Sequence, residues 1–279
     1  MSMPFPPFEP DAPANRRRIR RVPLRMLLPS MLTLLALCSG LTSIRMSFEG
    51  RFEIAIAAIV LAAILDALDG RVARFLKSTS RFGAELDSLA DFVNFGVAPA
   101  ILLYAWVLDG LGNIGWIAGL VFAVCAALRL ARFNVQLDDP DRPAWAGDFF
   151  TGVPAPAGAL TVLLPVYLHL SGMPTFEAGA PVVLVYELAI AFLMVSRLPT
   201  FSGKRIGERI PRELVLPVFM GVVLFVAVLI AFPWQTLTAS TLAYLAALPF
   251  AYTAYRKRTA AHAAEQKEEA DAQEGAAGE

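Results

Sequence analysis

Eight mostly apolar stretches, at about 26–45, 53–75, 84–108, 112–132, 153–171, 181–198, 213–232 and 236–255, limit what this chain of 279 residues can become. Each is near the roughly 20 residues that carry a helix across a bilayer, and inside lipid a helix satisfies all of its own backbone hydrogen bonds. The composition agrees. Hydrophobic residues make up 57% and charged residues only 17%, against about 45–50% and 25% in soluble domains, and the mean hydropathy is +0.58. The expected fold is therefore all-α, a polytopic transmembrane bundle of about eight spans. Charge sets its orientation. With both termini placed in the cytoplasm, Arg45 and Arg51 alone among the 24 Lys and Arg residues fall on the outer side, the asymmetry that the positive-inside rule describes. The cluster Arg16, Arg17, Arg18, Arg20, Arg21 and Arg25 leads into a full-length span, so Met1 to Arg25 reads as a basic, disordered extension and not as a cleavable signal. Cys38 and Cys125 lie within apolar runs without metal-ligand spacing and read as buried filler.

Against that apolar background, four aspartates stand out at the ends of the second and third spans: Asp66, Asp69, Asp87 and Asp91. At helical rotation Asp66, Asp69, Gly70, Ala73 and Arg74 share an arc of roughly 140°. Gly83, Asp87, Asp91 and Asn94 share one of roughly 80° on the next helix by the same rotation. Four anions at such range repel one another unless something neutralises them. Salt bridges to Arg71, Arg74 or Arg81 would account for the charge but not for the small residues beside it. Oxygen ligands with no His or Cys nearby favour Mg²⁺ or Mn²⁺. Gly70, Ala73 and Gly83 keep the same faces clear of bulk, and Arg74 can hold a phosphate oxygen.

Written as a pattern, the stretch reads D-x2-D-G-x2-A-R-x8-G-x3-D-x3-D, and at every fixed position it resembles the motif of the CDP-alcohol phosphatidyltransferase family. Asp87-Ser-Leu-Ala-Asp-Phe-Val-Asn-Phe-Gly-Val-Ala-Pro99, Leu128-Arg-Leu-Ala-Arg-Phe-Asn134 and Pro199-Thr-Phe-Ser-Gly-Lys204 are similar to the phosphatidylserine synthase branch of that family. The resemblance runs from about residue 27 to 206. It implies transfer of a phosphatidyl group from CDP-diacylglycerol to L-serine with release of CMP. It further implies one or two divalent ions, Mg²⁺ or Mn²⁺, on Asp66, Asp69, Asp87 and Asp91. Asp91 would be the base for the serine hydroxyl, and Thr33, Gly70, Ala73, Arg74 and Gly83 would hold CDP. Asn94, Arg129, Arg132 and Lys204 are candidates for the acceptor or a phosphate.

Each has a structural alternative. Thr33 can bond back to its own turn, Asn94 can join two helices, and Arg129 and Arg132 can snorkel to the interface. Pro199–Lys204 has the composition of a phosphate-contacting turn but not the spacing of a P-loop. His169 and His262 lie far from the motif.

These readings divide the chain into a basic cytoplasmic segment at 1–25, a catalytic core at 26–206, additional membrane helices at 207–258 that serve as scaffold or dimer surface, and a cytoplasmic tail at 259–279. Membrane lipid and a second copy of the chain are the expected partners, nucleic acid is not, and a bacterial inner membrane is the expected location. Three rival functions are the same fold acting on glycerol 3-phosphate or inositol phosphate, a carrier with intramembrane carboxylates, and a catalytically idle relative.

Overall fold

The computed structural model describes residues 24–78, 80–137, 149–173, 179–201 and 212–277. The basic cluster Arg16–Arg21 and Lys204 lie outside them. The first helix, α1 (Leu24–Phe48), is followed by α2 (Phe52–Phe75), α3 (Arg81–Asp91) and α4 (Ala98–Trp106), then α5 (Asn113–Leu137), α6 (Ala155–Val162), α7 (Leu164–Leu170), α8 (Gly179–Val195), α9 (Arg212–Ala231) and α10 (Pro233–Ala277). Leu27–Phe48, Arg81–Trp106, Asn113–Gln136, Leu214–Ala231 and Pro233–Arg256 are long and apolar enough to cross a membrane, while Ala155–Leu170 and Gly179–Val195 are shorter apolar helices. Together with α2, which is 24 residues long and carries Glu53, Asp66 and Asp69, these correspond to the eight expected spans.

Small residues bring α1 and α2 together. Thr33, Ala36, Ser39, Ser43 and Ser47 form a buried stripe at helical spacing on α1, and Ala55, Ile56, Ala58, Ile59 and Ala62 face it from α2. Ser39 donates to the Ala58 carbonyl at 2.8 Å. Such stripes let membrane helices approach closely, where dispersion and interhelical hydrogen bonds replace the hydrophobic effect. The same helix also packs on α3, so α1 is the common wall behind α2 and α3.

Between α3 and α4 the helix continues through one π-helical stretch, Phe92–Val97. Pro99 explains it: without an amide hydrogen it cannot bond to the Phe95 carbonyl, and its ring would crowd the preceding turn. The fifth span is divided at Leu163 between α6 and α7, with prolines at the start of each.

A short antiparallel pair, β1 (Phe149–Thr151) with β2 (Pro199–Phe201), was not anticipated by the all-α reading. It ties the segment before α6 to the segment after α8. Gly152 N–H donates to the Leu198 carbonyl at 2.8 Å, and Thr200 Oγ1 donates to the Gly152 carbonyl at 2.9 Å. Gly152 has φ +79°, and a Cβ there would run into the Met194 carbonyl, so the junction requires glycine.

The apolar core is built by Ile56, Ile59, Leu102, Leu103, Phe122 and Tyr167 among others. In contrast, no residue of Leu214–Ala231 is buried within the chain. α10 packs on α7 and on β2, and stays helical through Ala277 into the expected tail.

Candidate active site

The chain turns from α2 to α3 by two local devices. At the end of α2, Ser78 N–H donates to the Ala73 carbonyl and Lys77 N–H to the Arg74 carbonyl, with Lys77 at φ +50°. This is a Schellman closure. At the start of α3, Ser80 is extended and its Oγ accepts from Gly83 N–H at 3.0 Å, a side-chain N-cap. Both aspartate-bearing faces are thereby returned to the same end of the bundle.

One carboxylate oxygen from each of Asp66, Asp69 and Asp87 lies within 4.8 Å of the others. Asp91 joins them through Asp66, whose carboxyl is within hydrogen-bonding reach of those of both Asp91 and Asp87. Asp69 is the most enclosed, at 4% exposure, and Thr33 donates to its Oδ2 at 2.7 Å. The Thr33 hydroxyl also lies 3.1 Å from the Pro29 carbonyl. With one hydrogen to give, the hydroxyl favours the shorter contact, to the carboxylate, over the back-bond to its own turn. Among the described residues the ion pairs are Arg45 and Arg51 with Glu49; none involves these aspartates. The salt-bridge explanation of their charge is thus without support among the described residues, and a hard divalent cation suits the all-carboxylate donor set.

The glycines differ in what they leave open. A Cβ on Gly70 would meet nothing within 4 Å, so no packing inside the chain compensates for a glycine in mid-helix, which costs about 1 kcal/mol relative to alanine. The clear space there faces outward. A Cβ on Gly83 would come 3.1 Å from Ser80 Oγ, so that glycine also makes room for the cap. Ala73 is partly buried and Arg74 exposed at the end of α2.

The further candidates separate. Asn94 is fully buried in the π-helical stretch, with neither amide atom hydrogen-bonded, and a Cβ on Gly40 of α1 would overlap its side-chain oxygen. It packs against Gly40 of α1, within a π stretch where α-helical rotation no longer fixes which face it takes. Arg132 Nη1 donates to the Val195 carbonyl at 2.6 Å, and the Ser196 carbonyl lies 3.5 Å away. It closes the C-terminal end of α8, where carbonyls lack partners. Arg129 is buried and lies in the electrostatic field of Asp91. His169 rests against Trp106, away from the cleft. Two features were missed from sequence: Asn134 Nδ2 donates to Ser88 Oγ at 2.9 Å, fastening α5 to α3, and Tyr244 of α10 lies within electrostatic range of Arg129.

The sequence over residues 26–195 matches the family described as CDP-alcohol phosphatidyltransferase. The chain belongs to that family. Residues 213–249, beyond the stretch that carried the resemblance, match a second description, CDP-alcohol phosphatidyltransferase 2. Similar proteins include the CDP-diacylglycerol–serine O-phosphatidyltransferase of Mycobacterium leprae, 42% identical over 85% of this chain and 78% of that protein. The protein of the same name from Helicobacter pylori is 34% identical over 71% and 81% respectively. Archaetidylserine synthase of Methanothermobacter thermautotrophicus is 36% identical over 61% of this chain and 68% of its own length. Within this phosphotransferase family the aspartate cleft of α2 and α3 coincides with the motif from which the family was first suggested.

Proposed function

We propose that the chain transfers the phosphatidyl group of CDP-diacylglycerol to L-serine, releasing CMP, on the cytoplasmic face of a bacterial inner membrane. The observation that carries the reading is the convergence of carboxylate oxygens from Asp66, Asp69 and Asp87 within 4.8 Å, without a cationic partner among the described residues. Relatives named for this reaction with serine align over most of the chain, and the distribution of Lys and Arg supports the orientation.

Asp66, Asp69 and Asp87, with Asp91 at their edge, would hold one or two Mg²⁺ or Mn²⁺ ions. A bound cation would neutralise charge on the pyrophosphate and ease the departure of CMP. The chain's own residues do the rest. The open faces around Gly70, Ala73 and Gly83 admit the nucleotide and its phosphates, and Arg74 pairs with a phosphate oxygen. Asp91 accepts the proton of the serine hydroxyl. The serine oxygen then bonds to the phosphatidyl phosphorus as the bond from that phosphorus to the bridging oxygen breaks, and that oxygen leaves with CMP. Arg129, behind Asp91, takes the serine carboxylate. Residues 26–206 form the catalytic core, and the enzyme works as a homodimer.

The test is release of CMP by purified protein in detergent, with serine, glycerol 3-phosphate and inositol phosphate offered separately. Serine is expected to give phosphatidylserine and CMP in equal amounts. Activity with a phosphorylated alcohol and none with serine would contradict the assignment.

A further inference from the structure

The turn that joins α2 to α3 carries exposed cations and exposed aromatic rings that the transfer reaction leaves without a role. On α2, Leu61, Ile64 and Leu68 are exposed at helical spacing, and the same stripe continues through Arg71 to Phe75, which is 87% exposed. In a membrane bundle such a stripe meets lipid. On α3, Phe82 is 74% exposed, and the exposed Leu89 lies two turns further along the same face. Two rings thus stand at the end of lipid-facing surface, where apolar side chains enter the headgroup boundary. Arg71, Lys77 and Arg81 are exposed around them. Arg71 lies on the stripe itself, between Leu68 and Phe75, so its stem runs along lipid while its guanidinium reaches toward headgroups. None of the three cations forms an ion pair among the described residues, although Glu85 is exposed one turn from Arg81.

The backbone of the turn points the same way. Lys77 has φ +50° at the Schellman closure, the only residue other than glycine with a positive φ among the described residues. Glycine is the usual occupant of that position because it takes the left-handed conformation freely, whereas a residue with a Cβ is strained there. Gly50, Gly112, Gly152 and Gly172 fill the other positive-φ positions. At this corner alone the chain accepts strain, and what it gains is an ammonium in the turn between Phe75 and Phe82.

We propose that the α2–α3 turn is a binding site for anionic phospholipid: Phe75 and Phe82 enter the headgroup boundary, and Arg71, Lys77 and Arg81 hold the lipid phosphate and its charged headgroup. The ligand is a resident lipid of net negative charge, separate from the nucleotide-bearing donor, whose phosphate falls to Arg74. The site does not depend on which alcohol accepts the phosphatidyl group.

The experiment places a reporter in the turn, Phe82→Trp, in nanodiscs of phosphatidylcholine and phosphatidylglycerol, and follows its quenching when one lipid or the other is brominated. Protein with its native Phe82 supplies the background from the chain's own tryptophans. Phosphatidylglycerol is expected to quench in clear preference to phosphatidylcholine. Loss of one cation near a lipid surface should lower that preference about fivefold, in Arg71→Gln and in Lys77→Gly alike, and the triple variant Arg71→Gln, Lys77→Gly, Arg81→Gln should abolish it. Lys77→Gly also relieves the strained φ, so its thermal midpoint should hold or rise while the lipid preference falls, a combination that a folding defect does not produce; it decides the matter if the triple variant does not fold. Arg45→Gln, at the other end of the bundle, should change nothing, and saturating CMP should not displace the lipid. Equal quenching by both lipids, a preference that survives Lys77→Gly, an equal loss in Arg45→Gln, or displacement by CMP, which would place the lipid in the nucleotide cleft, would overturn the proposal and leave the serine reaction standing.

Discussion

The cleft between α2 and α3 and the helix α9 lie in the same membrane bundle and obey opposite rules. In the cleft, carboxylates sit where lipid-embedded structure disfavours them, held by a cap, a Schellman closure and the Thr33 hydroxyl. On α9, eighteen consecutive residues from Leu214 to Ala231 carry no group more polar than the backbone, and none is buried. The first region spends side-chain chemistry on a ligand, and its sequence is accordingly restricted in type and spacing. The second needs only length and hydropathy, so substitution there should pass without consequence. α10 lies between the two: it is also long and apolar enough to span over Pro233–Arg256, yet it carries Thr, Ser and Tyr side chains that α9 lacks, and part of it packs inside the chain.

Substitutions separate these regimes, beginning with the largest expected effect. Asp91→Asn should lower kcat by about 10²–10⁴, the usual contribution of a general base, with the protein still folded by size-exclusion chromatography; turnover like that of the unsubstituted protein would remove Asp91 from its role. Two glycines sharpen the contrast between ligand space and packing space. Gly70→Leu should raise the KM for CDP-diacylglycerol about tenfold with no loss of thermal midpoint, because a side chain there meets nothing inside the chain. Gly40→Leu should do the reverse, lowering stability by about 1–3 kcal/mol through overlap with Asn94. If both lose stability alike, the space over Gly70 is not ligand space. Thr33→Val removes the 2.7 Å bond to Asp69 and should weaken cation binding about fivefold, equivalent to about 1 kcal/mol. Val223→Leu on α9 marks the lower end, with stability within about 0.5 kcal/mol and unchanged kinetics; a clear loss of activity would mean that α9 does more than span.

What could be read from the residues alone follows the same division. The aspartates and their small neighbours lie close in sequence and recur at helical spacing, so local rotation was enough to place Asp66 and Asp69 opposite Asp87. The eight apolar stretches were equally legible, since bilayer thickness sets helix length. Arg132 was not. Its pattern with Arg129 suits an anion site, yet its partner is the carbonyl end of α8, some sixty residues later in the chain. Asn94 shows a second kind of limit: the arc that joined it to Asp91 assumed α-helical rotation, and Pro99 imposes a π-helical stretch just there. The strand pair and Tyr244 depend on how distant segments dock, which no periodicity in either segment encodes.

The central claim is that carboxylates from two neighbouring helices share a cation. Electron paramagnetic resonance of Mn²⁺ titrated into the purified protein tests it most directly, with Asp66→Asn, Asp87→Asn and the double variant compared. The account predicts saturable binding that either single substitution weakens by at least about tenfold, with little further loss in the double variant because both act on one site. Binding that persists in the double variant, or single losses that add independently, would contradict a shared ion.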